Sequence, residues 1–300
     1  MDATIHQFAG CLLGLAMGDA LGAPHEGGPL ERLVWRFIGR TPSGELRWTD
    51  DTQMTLDLGE SLLEAGGVSP DALARRFAQS YRWSRGYGLG TARVLRRIRR
   101  GEPWQSASKA VYPGGSYGNG AAMRAPVLAL FFANDFDRLL DAARQSAQVT
   151  HCHPHGVEGA VLIAAATRAL LNGVPSATAL KSIQAQCKAP EVHKKLQIVS
   201  EWIGTDATPV PREVAAQLGN GVAAVASCPT ALYIALRHLD SPFDEMMRFI
   251  IACRGDVDTI GAMAGALWGV VNGPGGLPAV EIESRNRLED LAARLWARQR

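Results

Sequence analysis

The sequence predicts an all-α protein: one compact domain of a dozen or more helices in an orthogonal, multi-helix packing, spanning residues 1–300. Three observations carry this. Apolar residues recur at helical spacing from one end of the chain to the other. No sustained apolar–polar alternation and no strand-rich block interrupts them. No linker divides the chain, and 300 residues of which 47% are hydrophobic supply ample core for one large domain.

The elements follow in order. Residues 5–22 carry Ile5, Phe8, Cys11, Leu12, Leu15, Ala16 and Met17 at helical spacing. Glycines at 10, 14 and 18 stand four apart, which allows close approach of another helix. Asp19, near the end of that run, is placed to cap or orient a neighbour. Residues 22–44 read as loop, with Gly27-Gly28-Pro29 and Thr41-Pro42-Ser43-Gly44 as turns. A helix opens near Asp50 (Met54, Leu56, Leu58, Leu62, Leu63) and breaks at Gly66-Gly67. Ser69-Pro70 restarts the pattern as cap and first helical position, with the helix running to about Trp83. Residues 85–90 are loop, and 91–100 form a helix rich in arginine.

Residues 113–120 are a glycine-rich loop leading into a helix from about Ala121. Asp135 to Val149 is a helix, and residues 156–171 an Ala-rich buried one. Prolines 190, 209 and 211 punctuate two or three amphipathic helices between 176 and 218. Residues 221–238 form a nearly all-apolar helix, followed by Pro242–Cys253, a Gly/Ala-rich helix from Asp258 to about Val271, and a charged amphipathic helix from Glu281 to the end.

Composition narrows the function classes. A formal charge of +2 gives no push toward nucleic acid or an acidic membrane. The arginines of residues 91–100 lack interleaved aromatics and read as a solvated helix face. The apolar runs at 221–236 and 260–271 are too short or too broken to span a bilayer. The N-terminus lacks the basic segment and clean apolar core of a signal peptide. Five scattered cysteines without a C-x-x-C suit a reducing compartment, so a cytoplasmic protein is expected.

Two acidic clusters carry the chemistry. Thr49-Asp50-Asp51-Thr52 and Asp256-Val257-Asp258-Thr259 each stand at a helix start. Carboxylates are favoured there by free N–H groups and by the helix dipole, and one aspartate would be an ordinary cap. Four carboxylates with several hydroxyls exceed what capping needs. If the fold brings them together, their charge needs compensation, which two divalent cations would supply. All-oxygen ligands favour Mg²⁺ or Mn²⁺ over Zn²⁺. The glycine loop offers backbone N–H groups to phosphates, although its spacing matches neither a Walker loop nor a dinucleotide fingerprint. Tyr117 within it can stack on a base or ribose. His151, His153 and His155 alternate, but a zinc site would need an extended segment and an acid nearby.

Five blocks in order identify a resemblance that covers nearly the whole chain. They are Gly14-Leu15-Ala16-Met17-Gly18-Asp19-Ala20-Leu21-Gly22, Thr49-Asp50-Asp51-Thr52, Ser116-Tyr117-Gly118-Asn119-Gly120-Ala121-Ala122-Met123-Arg124, Thr150-His151 and Gly255-Asp256-Val257-Asp258-Thr259. Together they resemble the ADP-ribosylglycohydrolases. The resemblance implies a metal-dependent hydrolase that cleaves the glycosidic bond between ADP-ribose and an acceptor, such as an arginine or serine side chain of a modified protein. It implies two Mg²⁺ or Mn²⁺ ions held by Thr49, Asp50, Asp51, Asp256, Asp258 and Thr259, at helix N-termini. It assigns ADP-ribose contacts to Ser116, Tyr117, Gly118, Asn119, Gly120, Met123 and His151, and catalytic roles to Glu26, Asp50 and Asp258.

The alternatives are a hydrolase of another ribosyl compound or of a small metabolite such as O-acetyl-ADP-ribose, and a catalytically silent ADP-ribose-binding relative. An ADP-ribosyltransferase encoded next to this chain would mark a reversal enzyme or an immunity partner. Two positions depart from the usual second acidic block: Arg254 stands where a glycine is common, and Val257 where a small or polar residue is common.

Overall fold

Gly10, Gly14 and Gly18 line one face of the opening helix, Ile5–Gly22. In the computed structural model, which describes residues 3–205 and 207–299, that face lies on a second glycine row in the helix Val257–Asn272. The match is antiparallel and reciprocal. A Cβ added at Gly14 would stand 2.2 Å from the Gly265 carbonyl oxygen, and one added at Gly265 would stand 2.2 Å from that of Gly14. Gly10 with Gly269 and Gly18 with Gly261 repeat the arrangement at 2.0 to 2.7 Å. Only hydrogen fits between the backbones, so each row requires the other.

Both helices are buried along most of their length. That burial explains why they read as apolar all round rather than as amphipathic. The Ala-rich helices Pro154–Leu171 and Ala224–Arg237 are likewise mostly buried. Helices with one apolar stripe, including Pro70–Ser80, Leu89–Arg99, Phe136–Gln148 and Arg285–Ala297, form the outer layer. The protein is about 70% helical. Among the described residues the β-structure is limited to isolated bridges, and no helix is long and apolar enough to cross a membrane.

Several boundaries differ from the sequence expectation. The segment 22–44, read as loop, contains a 3₁₀ turn Ala23–His25 and a helix Pro29–Ile38. Pro29 at its first position starts that helix, and its short apolar stripe was hidden between turn signals. The helix after Ser69-Pro70 ends at Ser80, and Trp83–Arg85 forms its own 3₁₀ turn. Arg85 there lies 3.7 Å over the Trp48 ring and binds Glu283 at 2.6 Å, which fastens the approach to the first acidic cluster. A short helix, Trp104–Ala110, precedes the glycine loop. That loop runs on through turns, and its helix starts at Pro126 rather than Ala121. The apolar helix expected from 221 starts at Ala224. The last helix starts at Arg285 rather than Glu281, because Glu281 and Glu283 exchange backbone hydrogen bonds with Leu46 at 2.8 and 2.9 Å.

In the arginine-rich helix, Arg96 reaches the Tyr81 hydroxyl and Arg99 the Ala78 carbonyl, while Arg97 pairs with Glu102. The arginines serve neighbouring elements and solvent, as the composition suggested.

Gly14→Ala forces a methyl onto a backbone carbonyl that cannot move alone. We expect a loss of about 3 kcal/mol or more, beyond ordinary overpacking. The control is Gly67→Ala, where a Cβ meets nothing within 4 Å and a change within about 1 kcal/mol is expected. Urea denaturation of both variants checks this; equal midpoints would show that the two helices can part freely.

Candidate active site

The glycine contact brings the end of the first helix to the start of the late one: a Cβ at Gly22 would lie 2.5 Å from the Asp258 Cα. Asp19, one turn earlier and fully buried, points to a third element. Its carboxylate accepts the Thr49 N–H at 3.0 Å on each oxygen, the Thr52 N–H at 3.1 Å and the Thr52 hydroxyl at 2.6 Å. Thr49 Oγ1 also accepts the Asp51 N–H at 3.3 Å. The N-terminus of helix Asp50–Ala65 is thus capped by Asp19 and Thr49. The carboxylates of Asp50 and Asp51 are left for other work, and buried Asp51 Oδ2 has no hydrogen-bond partner among the described residues.

The second acidic cluster is set by a tight backbone approach. Gly255 has φ +81°, and a Cβ there would lie 2.0 Å from the Asn220 carbonyl oxygen. That same oxygen accepts the Asp256 N–H at 2.8 Å. Asp258 Oδ1 accepts the Thr259 N–H at 2.8 Å. Asn119, from the glycine loop, donates to Asp256 Oδ2 and to Ser227 Oγ. The loop is clamped by Asn119 N–H to Val222 O at 2.9 Å and Ala224 N–H to Tyr117 O at 3.0 Å.

These elements enclose a cavity of about 330 Å³. Glu26, Asp50, Asp51, Asp256, Asp258 and Thr259 line it together with Ser116, Gly118, Asn119, Gly120, Met123 and His151. Thr49 is buried and faces an adjoining cavity of about 400 Å³, which shares Glu26 and Gly86 with the first. Tyr117 is exposed, in a T-shaped contact with His153 with centroids 6.0 Å apart. Also lining the first cavity are Gly86, Gly88, Leu89, Gly90 and Tyr112, which the sequence reading left without a role. The alternating glycines of Gly86-Tyr87-Gly88-Leu89-Gly90 were their only signal.

Ligand-capable oxygens of Glu26, Asp256 and Asp258 all lie within 4.8 Å of one another. Burial, then repulsion from the neighbouring acids, holds Asp50, Asp51 and Asp258 well above the usual carboxylate range. Burial and then Glu26 push Asp256 up to about 6. Burial likewise raises Asp19 to about 6, against the pull of its four hydrogen bonds. Charge of this density in little water calls for protons or cations. A buried carboxylate oxygen without a donor, beside an oxygen-only ligand set, fits a hard cation.

The histidines form no such group. His151 Nδ1 meets Thr150 Oγ1 at 2.8 Å, His153 Nδ1 accepts the His155 N–H at 3.1 Å, and His155 lies 3.7 Å from Glu191. Burial and then Arg124 push the His151 pKa down to about 3, so its imidazole is neutral.

The family model for ADP-ribosylglycohydrolases matches residues 1–300. The chain belongs to the ADP-ribosylglycohydrolase family. It is 32% identical to the ADP-ribosylhydrolase ARH3 of Mus musculus, over 90% of this chain and 85% of that one. Against ARH3 of Homo sapiens the identity is 32%, over 92% and 88%. A solved structure described as an ADP-ribosylglycohydrolase-related protein complex superposes with a TM-score of 0.73 at 30% identity, covering 99% of both chains.

The two departures from the usual block of this family have different structural weight. Val257 is buried at the start of its helix and packs into the core. Arg254 is exposed and holds φ +59°, ψ −165°, a region that strongly favours glycine.

Arg254→Gly should therefore stabilise this protein by about 1 kcal/mol or more through relief of backbone strain, as read from its denaturation midpoint; an unchanged or lower midpoint would count against that strain. A second expectation concerns pH. Acids whose pKa is raised on folding take up protons on folding, so their contribution is lost as pH rises. Without divalent metal, stability should fall from about pH 4 through about pH 6, by on the order of 2–3 kcal/mol from an Asp256-sized shift alone. Mg²⁺ or Mn²⁺ should raise the melting temperature most on the alkaline side of that range. Calorimetry with EDTA and with each ion checks both; a flat profile would mean the carboxylates are not electrostatically crowded.

Proposed function

We propose that this protein hydrolyses the glycosidic bond between ADP-ribose and an acceptor, and so reverses ADP-ribosylation. The observation that carries it is one cavity with an oxygen-only acidic cluster on one wall and a glycine loop at a buried histidine on the other. Family membership and the ARH3 relatives support the same reading.

Thr49, Asp50, Asp51, Asp256, Asp258 and Thr259 would hold two Mg²⁺ or Mn²⁺ ions, which when bound supply positive charge to orient ribose hydroxyls and a water of low pKa. The glycine loop would receive the diphosphate and ribose of ADP-ribose. Its Gly120 N–H makes no hydrogen bond among the described residues, so it is available to a phosphate oxygen. Ser116, Asn119, Met123 and His151 line the same wall, and Tyr117, at the exposed end of the loop, would stack on the base or ribose. Remote binding of the ADP half then orients the distal ribose against the acids.

Cleavage leaves oxocarbenium character on that ribose, which the negative charge of Asp50 and its neighbours stabilises. Carboxylate oxygens of Glu26 and Asp258 lie within 4.8 Å of each other. In this reading Glu26, or one of the site aspartates, gives its proton to the departing acceptor. Glu26 also faces the adjoining cavity, whose walls include Val34, Trp35, Ile38 and Trp83. The acceptor lies there in this reading, and an apolar trough of that size suits a polypeptide better than an acetyl group. Five unpaired cysteines, four of them buried, suit a cytoplasmic enzyme.

Release of ADP-ribose from arginine- and serine-modified peptides and from O-acetyl-ADP-ribose, with Mg²⁺, Mn²⁺ or EDTA, tests this. The expected result is metal-dependent release, faster from one of the peptides, and lowered about 100-fold or more in Asp258→Asn, a loss the size of an essential acid–base group. Release that is indifferent to EDTA and to the substitution would overturn it.

A further inference from the structure

Arg124 is the largest fully buried side chain among the described residues. No carboxylate lies within ion-pair distance of it among the described residues. Buried cations usually pair with an acid, so its partners are informative. Its N–H groups donate to Gly120 O at 2.6 Å, Ser146 O at 3.0 Å and Thr150 Oγ1 at 3.0 Å. Its guanidinium carbon lies 4.8 Å from the centre of the Phe77 ring. Gly120 belongs to the glycine loop, and Ser146 and Thr150 belong to the segment that carries His151. Arg124 therefore holds the loop and the histidine in one register.

The hydrogen bonds also have a direction. Guanidinium only donates, so Thr150 Oγ1 accepts from it and must send its own proton elsewhere. Thr150 is buried, and the acceptor within reach among the described residues is His151 Nδ1 at 2.8 Å. The opposite tautomer would place two donors on the Thr150 oxygen and strand the hydroxyl proton in the core. Nδ1 thus carries no proton, and Nε2 carries one. Nε2 has no hydrogen-bond partner among the described residues, and the ring lines the cavity. Nε2 lies 2.9 Å from where a Cβ on Gly120 would stand and 3.4 Å from one on Gly118.

We infer that Arg124 and Thr150 are positioning residues that lock His151 as the Nε2–H tautomer, a fixed donor beside the Gly118–Gly120 loop for an anionic oxygen of the substrate. The ligand's identity as ADP-ribose rests on the reading under Proposed function; the lock itself does not. It accounts for two sequence features together: an arginine closing the glycine block, and a threonine directly before the histidine. Burial keeps the imidazole neutral, so the donor persists without becoming a cation.

The test is long-range ¹H–¹⁵N NMR of His151 in the full-length protein, with calorimetric binding of ADP-ribose, for the parent, Thr150→Val and Thr150→Ser. The parent should show the pure Nε2–H pattern at neutral pH. Thr150→Val should populate the Nδ1–H form and weaken ADP-ribose binding about five- to tenfold, the worth of one misplaced hydrogen bond. Thr150→Ser, which keeps the hydroxyl, should restore both. An Nδ1–H or imidazolium pattern in the parent overturns the lock, as does a folded Thr150→Val protein with an unchanged pattern and affinity. Should Thr150→Val fail to fold, the parent and Thr150→Ser spectra decide. Should the parent not bind ADP-ribose, the functional reading falls while the spectrum still decides the lock.

Discussion

Everything in this structure depends on two backbones touching without side chains between them. Gly10, Gly14 and Gly18 against Gly269, Gly265 and Gly261 fix the separation, direction and register of two helices at once. Register is the decisive part. It sets Gly22 beside Asp258, and Asp19, one turn before Gly22, then seats the helix that begins at Asp50. The acidic cluster is therefore positioned by core packing, together with the loop contact of Gly255 and Asp256 with Asn220. A site built on rigid helices keeps its geometry better than one built on loops alone.

The same packing creates a tension that the site uses. Capping work is delegated to Asp19 and Thr49, so the aspartates that follow are free of it. Their charges are then crowded in a place with little water, where repulsion and desolvation act together. Such a cluster is stable only with protons or cations, and it favours whatever brings positive charge. On the opposite wall, the buried positive charge of Arg124 is spent on carbonyls and a hydroxyl rather than on an acid. Leaving the acids unpaired and the arginine structural keeps the two walls chemically distinct.

Much of this was legible in the sequence because its causes are local. The four-residue glycine spacing, the paired acids at helix starts and Pro70 at the first helical position each follow from short-range rules and appear in the structure, although Ser69 at the cap position makes no side-chain cap hydrogen bond. The meeting of the two acidic clusters was not local, and only the order of the five blocks pointed to it. Helix Pro29–Ile38 was missed because its apolar stripe is short and flanked by turn residues. The displaced start of the last helix comes from Leu46, more than 200 positions earlier, which claims the backbone of residues 281–283. The role of Gly86 to Gly90 escaped because alternating glycines alone name no ligand, and only the fold brings them to the cavity wall. Thr150 and Arg124 stood in view, but the hydrogen-bond direction exists only once Arg124 meets the segment that carries Thr150 and His151.

The two glycine rows lie near opposite ends of the chain, and this has a consequence for how the protein is made. A ribosome releases the first row early and the second only after some 250 residues have been polymerised. Until then the opening helix, apolar on every side, has no partner for its bare backbone face. Half of the acidic cluster is likewise missing. The growing chain therefore does not have to hold its repelling carboxylates together while it is still incomplete. The step that closes the core is also the step that assembles the chemistry, so a chain stopped short of the late helix has neither.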